Sequence, residues 1–216
     1  MRHAQQIRIA DNPAMNLSLR EGVRLYFCRH GETQANVEKR FQGLGTDTPL
    51  TATGREQSRK LALLIKRARP DFSSLSFVSS PLTRARTTMQ IVLSALHLPI
   101  DHFTTDARLQ EIDLGQWDGL TDNEARALDL AMFEKRGNDK WHVRVPGGEN
   151  YADVAKRAES WIGDLRADTF AISHGAFTRI LRGLFADMSW QQMSQLDEEQ
   201  GVLFGVSGNT VTRLES

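Results

Sequence analysis

The chain has 216 residues, of which 40% are hydrophobic, and this length and composition are typical of one globular domain. Its 27 Lys and Arg residues balance 27 Asp and Glu residues, and a net charge of zero argues against nucleic acid or a membrane surface as a partner. The single cysteine, Cys28, excludes an internal disulfide, and no apolar stretch approaches the roughly 20 residues of a membrane span. We therefore expect a cytoplasmic protein.

The beginning of the chain is polar and lacks the continuous apolar core of a signal peptide. We interpret residues 1–22 as a polar leader and residues 23–216 as one folded domain. The apolar run at residues 23–28 predicts the first strand. The segment Thr53-Gly54-Arg55-Glu56 then has the form of a capping box, and it predicts a helix that ends before Pro70.

Strands and helices continue to alternate along the rest of the chain. Further helix starts are predicted by capping residues at Ser80 with Pro81, Thr121 with Glu124, and Asn150 or Tyr151. The remaining strands are predicted over residues 75–78 and 169–173, a last helix over 175–186, and a hairpin over 202–206 and 210–214. This alternation indicates an α/β fold with a mostly parallel central sheet.

Two histidines follow apolar runs in the same setting. His30 stands in Arg29-His30-Gly31-Glu32-Thr33 after the first predicted strand, and His174 stands in Ser173-His174-Gly175 after the run at residues 169–173. Because open α/β sheets bind ligands at the carboxyl ends of their strands, we expect the two histidines to share one site. A neutral imidazole is a good nucleophile toward phosphorus, and the adjacent Arg29 matches phosphate geometry with paired hydrogen bonds.

Two further segments supply groups that phosphoryl transfer needs. Arg84 lies at the predicted start of a helix after residues 75–78 and offers a second cation. Glu111 is flanked by apolar residues, and burial of its carboxyl group would raise its pKa toward neutrality. A carboxyl group of this kind can give a proton to a leaving alcohol.

Taken together, these segments resemble the histidine phosphatase superfamily, also called the phosphoglycerate mutase-like family, from Val23 onward. The matching segments are Arg29-His30-Gly31-Glu32-Thr33 with Asn36, residues 79–85, Glu111 with Gly115-Gln116-Trp117-Asp118-Gly119, Pro146-Gly147-Gly148-Glu149, and Ser173-His174-Gly175. The resemblance implies a three-layer α/β/α sandwich. It also implies that residues 23–216 form the catalytic domain.

The resemblance implies a phosphomonoesterase for small phosphorylated metabolites, with no metal or other cofactor. The resemblance also implies that His30 attacks phosphorus and becomes a phosphohistidine. Arg29, Arg84 and His174 would surround the phosphoryl oxygens. Glu111 matches the general acid and base. The expected phosphate and substrate contacts are Asn36, Thr33, Gln42 and Gly175. Contacts to the rest of the substrate are expected from Lys39, Arg40, Lys135 and Arg136.

Other functions stay open at this point. Cofactor-dependent mutases of the superfamily carry a tyrosine where Leu114 stands and a downstream arginine pair that holds a substrate carboxylate, and neither is evident here. A phosphatase is therefore expected, with a mutase as the alternative. A catalytically idle phosphate-binding module is a further possibility, whereas a metal hydrolase is disfavoured because Arg29 and Arg84 would repel a divalent cation. The sequence identifies neither the natural substrate nor the oligomeric state.

Overall fold

The computed structural model describes residues 17–214. Residues 1–16 of the predicted polar leader therefore lie outside the described part of the chain. Within the last part of that segment, Leu17 and Leu19 are buried and belong to the larger of two hydrophobic clusters. Packing against the domain thus begins before Val23, the residue at which the domain is predicted to start.

A six-stranded sheet forms the centre of the molecule. Its strands are β1 Arg24–Arg29, β2 Ser76–Ser79, β3 Thr104–Thr105, β4 Thr169–Ser173, β5 Leu203–Ser207 and β6 Thr210–Leu214. The strand order is β3-β2-β4-β1-β5-β6, in which β3, β2, β4 and β1 pair in parallel and the hairpin of β5 and β6 adds two antiparallel strands. The prediction of a mostly parallel sheet is confirmed.

Helices connect the strands and cover the sheet. They are α1 Gln34–Val37, α2 Ala52–Ala68, α3 Thr83–Ala95, α4 Asp122–Leu128, α5 Leu130–Asn138, α6 Tyr151–Asp164, α7 Gly175–Phe185 and α8 Trp190–Gln195. Short 3₁₀ turns lie at Phe72–Ser74, Ala107–Leu109 and Gly115–Trp117. The short elements α1, α8 and β3, together with α5, have no counterpart among the elements predicted from the sequence.

The sheet separates two hydrophobic clusters, one on each face. On one face, Leu61 of α2 and Met89 of α3 pack with Ile172 of β4. On the other, Trp161 of α6 and Phe177 of α7 pack with residues of β1 and β4 that point the opposite way. All five residues of β4 are buried, as expected for a strand covered by helices on both sides. The structure is therefore the expected three-layer α/β/α sandwich.

Two of the predicted helix caps are confirmed, and two are wrong. Capping boxes start α4 at Thr121 and α6 at Asn150. The predicted box at Thr53 is wrong because the amide of Gly54 donates to the hydroxyl of Thr51, so that α2 begins at Ala52.

The cap predicted at Ser80 is also wrong. Helix α3 begins at Thr83, and its N-cap residue, Leu82, has no side-chain hydrogen bond to the helix. Instead, the first amides of α3, those of Thr83 and Arg84, donate to the carboxylate of Asp47, at 2.5 and 3.2 Å. A residue distant in sequence therefore satisfies these amides, as helix ends require.

No helix formed within residues 17–214 is both long enough and apolar enough to cross a membrane.

The corrected cap of α2 can be tested by comparing two threonines. Thr51→Ala is expected to lower the free energy of unfolding by about 1 kcal/mol, because it removes the side-chain acceptor of the Gly54 amide. Thr53→Ala is the matched control, since Thr53 is exposed inside the helix, and it is expected to change stability little. Urea denaturation of both variants measures the difference. A larger loss in Thr53→Ala would show that α2 begins where the sequence pattern predicted.

Candidate active site

Three neighbouring strands end at one edge of the sheet, and the first residue after each strand faces the same region. Strand β4 lies between β1 and β2, so that His174 follows the middle strand while His30 and Ser80 follow its two neighbours. The amides of His30 and Ser80 continue the ladder by donating to carbonyls of β4, each at 2.9 Å. The imidazole rings of His30 and His174 are 5.1 Å apart, centroid to centroid. The two histidines therefore lie side by side at the strand ends, as expected for one shared site.

The turn after His30 requires glycine at two facing positions. A Cβ atom at Gly31 would collide with the carbonyl of Gly54, and one at Gly54 would collide with the backbone of Glu32. The start of α2 therefore packs directly against the backbone that follows β1. This close approach fixes the direction in which the chain carries His30 out of the sheet.

His30 is buried and has a defined proton arrangement. Its Nδ1 lies 2.8 Å from the carbonyl oxygen of Gly31, which can only accept, so Nδ1 carries the proton and Nε2 carries the lone pair. Burial, followed by the positive charges of Arg29 and Arg84, holds the pKa of His30 well below its usual range. The imidazole is therefore neutral near pH 7, with Nε2 available as a nucleophile.

His174 is fully buried at the N-cap position of α7. Its Nε2 lies 2.7 Å from the hydroxyl oxygen of Ser80, whereas its Nδ1 is buried without a hydrogen-bond partner among the described residues. Burial, followed by the positive charge of Arg84, also holds the pKa of His174 well below its usual range. One ring nitrogen of this neutral histidine thus has no partner within residues 17–214 and is open to a bound ligand.

Arg84 lies beneath the site, and its side chain is fully buried. Its Nη1 pairs with Asp47 at 3.2 Å and donates to the carbonyl of Thr46, while its Nη2 donates to the carbonyls of Gln42 and Gly43. Its Nε has no partner among the described residues. The guanidinium therefore holds a loop in place and keeps one N–H and its charge for a ligand.

Arg29 and Glu198 meet at the border of the site. Arg29 Nη1 donates to the carbonyl of Glu198 at 2.6 Å, and its distance to the Glu198 carboxylate is 4.0 Å. The Nε of Arg29 is buried and unpartnered within the described chain. The Glu198 carboxylate also pairs with Arg179 at 2.9 Å. An anionic ligand would therefore share both arginines with this carboxylate.

Glu111 is buried beside the first turn of α7. Its carboxylate accepts hydrogen bonds from the amide of Ile112 at 2.9 Å and from the amide of Ala176 at 3.2 Å. Burial, followed by the negative charge of Glu198, raises the pKa of the Glu111 carboxyl group. The direction agrees with the sequence-based expectation, and it favours the protonated form of this carboxyl group relative to an ordinary glutamate.

The other residues that were expected to contact phosphate or substrate differ in whether they line the cavity. Asn36 and Gln42 line the cavity beside His30, and the Asn36 side-chain oxygen accepts from the amide of Thr33 and from Gln200. Thr33 is buried, caps α1 and donates to Gln42 at 2.8 Å, so it acts on the cavity through its neighbours. Gly175 starts α7, and a Cβ there would lie 2.5 Å from the Glu198 carboxylate.

Cationic side chains surround the outer part of the cavity. Those in the lining are Arg40, Arg136, Lys140 and Arg179. Arg40 and Arg136 are among the residues expected from the sequence, whereas Lys39 and Lys135 are exposed and do not line the cavity. The lining also includes Lys140, Tyr151, Arg179 and Glu198, none of which was predicted from the sequence as a site residue. The spacing of Arg179, four residues after Gly175 in a predicted helix, was a usable signal, because residues four apart share a helix face.

The cavity also bears on the mutase alternative. The arginine pair that holds a substrate carboxylate in the mutases is not evident in the sequence. In the structure, Arg136 and Lys140 line the cavity together with Arg179, which is distant from both in the sequence. Within residues 17–214, no group of three or more His, Cys, Asp or Glu side chains is arranged to hold a metal ion.

These features define a three-layer α/β protein with two neighbouring, buried strand-end histidines, of which His30 lines a cationic cavity. A model of the histidine phosphatase superfamily (branch 1) matches residues 25–204. The chain therefore belongs to the histidine phosphatase superfamily, in agreement with the resemblance seen in its sequence.

Curated relatives extend this comparison. The chain is 35% identical over 144 residues to the probable phosphoglycerate mutase GpmB of Salmonella paratyphi C. The aligned region covers 64% of this chain and 60% of that protein. It is 32% identical over 174 residues to 6-phosphofructo-2-kinase/fructose-2,6-bisphosphatase 1 of Bos taurus, and the aligned region covers 80% of this chain. The chain spans about a third of the length of the bovine protein, 34%, and 22% of the Arabidopsis thaliana 6-phosphofructo-2-kinase/fructose-2,6-bisphosphatase.

Solved structures share the whole fold. The alpha-ribazole phosphatase of Shigella flexneri is 28% identical, with a TM-score of 0.76 over 90% of this chain and 96% of that one. YhfR of Bacillus stearothermophilus is also 28% identical, with a TM-score of 0.76 over 88% of this chain and 95% of that one. A mycobacterial glucosyl-3-phosphoglycerate phosphatase, solved with VO3, is 25% identical, with a TM-score of 0.73 over 90% of this chain and 98% of that one.

Proposed function

We propose that the protein is a phosphomonoesterase that hydrolyses a small phosphorylated metabolite through a phosphohistidine on His30. The observation that carries this proposal is the proton arrangement of His30, with Nδ1–H donating to the Gly31 carbonyl and Nε2 unprotonated in a buried, neutral ring. Nε2 attacks phosphorus and the alcohol leaves; water then attacks the phosphohistidine and releases inorganic phosphate. Family membership and the phosphatases among the structural relatives support the reaction class.

The charge that develops on the phosphoryl oxygens has donors close to His30. Arg29 and Arg84 each keep a buried Nε without a described partner, and His174 keeps its Nδ1 in the same state. Fixed donors in a buried site stabilise a transition state without reorganisation, and they are the main catalytic device in phosphoryl transfer. These donors and their charges support a reaction without a metal, which is part of the proposal.

Glu111 is the proposed general acid and base. Its raised pKa keeps the carboxyl group protonated at higher pH than an ordinary glutamate, so that it can protonate the leaving oxygen. After the alcohol has left, the carboxylate assists the attack of water on the phosphohistidine. Its hydrogen bonds from the amides of Ile112 and Ala176 hold one carboxylate oxygen in a fixed position.

The cavity favours a substrate that carries a second anionic group. The Lys140 ammonium forms no ion pair with any described residue, and burial, followed by the charge of Arg179, lowers its pKa. Arg136 and Arg179 flank it in the cavity lining. A second phosphate or a carboxylate would relieve this repulsion. Two relatives, a fructose-2,6-bisphosphatase and a glucosyl-3-phosphoglycerate phosphatase, are named for substrates with such a group.

A phosphoglycerate mutase is the second candidate. The cationic lining could hold the carboxylate of a phosphoglycerate, and a relative at 35% identity carries the name of a mutase. Both activities would begin with phosphorylation of His30, and they differ in whether water or a held hydroxyl group attacks next. Leu114, which lines the cavity where mutases carry a tyrosine, supports the phosphatase.

The reaction itself is tested on one preparation of the full chain. Inorganic phosphate is expected to be released from small phosphomonoesters, in EDTA, faster than 2- and 3-phosphoglycerate interconvert with or without 2,3-bisphosphoglycerate. His30→Ala is expected to lose more than about a hundredfold in turnover, because removal of a nucleophile costs far more than that. His102→Ala, at an exposed histidine, is the control. Faster interconversion would identify a mutase, and an active His30→Ala variant would exclude the phosphohistidine.

The role of Glu111 predicts a dependence on the leaving group. Glu111→Gln is expected to slow alkyl phosphates far more than p-nitrophenyl phosphate, whose leaving group needs little protonation. In the unmodified protein, kcat/KM for alkyl phosphates should fall as pH rises through the raised pKa of Glu111, since the acid form is required. Equal slowing of both substrates by Glu111→Gln would assign Glu111 a structural role.

The second anionic group is tested with two lysines. Lys140→Gln is expected to raise KM about 10-fold or more for a sugar bisphosphate, on the scale of a lost charged hydrogen bond, and to change KM little for p-nitrophenyl phosphate. Lys135→Gln is the matched control, because Lys135 is an exposed lysine of α5, close to Lys140 in the sequence, and lies outside the cavity. An equal change for both substrates, or an equal effect of Lys135→Gln, would contradict a second anion site.

A further inference from the structure

Ser80 is a buried polar residue that the proposed mechanism does not yet use. The sequence pattern predicts it as a helix cap, yet α3 starts three residues later, and the Ser80 hydroxyl lies 2.7 Å from Nε2 of His174. Ser80 follows β2, and His174 follows the adjacent strand β4. The two side chains are therefore held against each other by the parallel pairing of their strands.

The hydrogen bond between them can run in either direction, and its direction decides which nitrogen of His174 carries the proton. The Ser80 oxygen accepts the amide hydrogen of Leu82 at 3.3 Å, and among the described residues the hydroxyl hydrogen has no acceptor other than His174. Because burial keeps His174 neutral, its ring carries one hydrogen. If Ser80 donates to Nε2, that hydrogen is on Nδ1; if Ser80 accepts, Nδ1 carries a lone pair instead.

The surroundings of Nδ1 distinguish between the two arrangements. Nδ1 is buried and has no partner among the described residues, while the ring packs edge-on near His30. A phosphoryl group held at His30 presents only oxygen acceptors, and it would be repelled by a lone pair on Nδ1. A proton on Nδ1 would instead supply a hydrogen bond to a phosphoryl oxygen.

We infer that Ser80 is a positioning residue that donates its hydroxyl hydrogen to Nε2 of His174 and thereby keeps the His174 proton on Nδ1, facing the phosphoryl group. This inference rests on the proposed phosphoryl transfer at His30. Ser80 acts through His174 and does not itself touch the substrate. The arrangement mirrors that of His30, whose ring proton is fixed on Nδ1 by the Gly31 carbonyl.

The location of the proton is measured directly by NMR on the full chain labelled with ¹⁵N-histidine. The His174 signals are assigned by their loss in His174→Gln. In the unmodified protein at pH 7, we expect Nδ1 to carry the proton and Nε2 to be unprotonated. In Ser80→Ala, we expect exchange between both tautomers, because the partner of Nε2 is gone. A proton on Nε2 in the unmodified protein would overturn the inference, and this measurement needs no enzymatic activity.

Kinetics provide a second measurement. Ser80→Ala is expected to lower kcat for p-nitrophenyl phosphate about 10-fold to 100-fold with a smaller change in KM, as for a lost orienting partner. Ser80→Cys, which keeps a weak donor, should recover part of that loss. Ser79→Ala is the control, because Ser79 is equally buried but donates to the backbone carbonyl of Ser80. An unchanged kcat in Ser80→Ala would overturn the inference, whereas an inactive unmodified protein would instead contradict the proposed function.

Discussion

The buried guanidinium of Arg84 is the interaction on which the rest of the site depends. It pairs with Asp47 and donates to three carbonyls between residues 42 and 46, while Asp47 accepts the first amides of α3. The loop that carries Gln42 into the cavity and the start of α3 are therefore held by one cation and its carboxylate. The Arg84 side chain is fully buried, so its charge would be strongly destabilised without Asp47 and the carbonyl acceptors.

The same charge connects the architecture to the chemistry. Arg84 is one cause of the low pKa of both strand-end histidines, and burial is the larger cause in each case. In water, the charges of the cations would be screened. Neutral imidazoles beside such cations would then bind phosphate poorly without a metal. In a buried site, however, fixed cations would attract a phosphoryl group, and neutral histidines would keep the lone pair and the hydrogen that the proposed reaction requires.

The cavity combines this inner region with an outer region of different character. Glu198 lies between them, where its carboxylate pairs with Arg179 and its carbonyl accepts from Arg29. It also contributes to the raised pKa of Glu111, so one carboxylate influences both the arginines and the proposed acid. The outer region presents Lys140 without an ion-pair partner among the described residues. The charges of Glu198 and its arginines thus offset each other near the proposed acid. The outer region, where the rest of a substrate is proposed to lie, keeps a positive charge.

The sequence by itself determined five of the six strands, the helices α2, α3, α4, α6 and α7, the order of the site segments and the family, because hydrophobic periodicity and local motifs are properties of neighbouring residues. It correctly predicted the caps at Thr121 and Asn150, where the capping side chain and the capped amide lie within one turn. The tertiary structure alone decided that Asp47 caps α3, that Ser80 faces His174, and that Lys140 and Arg179 share a cavity. Each of these contacts joins residues more than 30 positions apart, and no local pattern encodes such a distance.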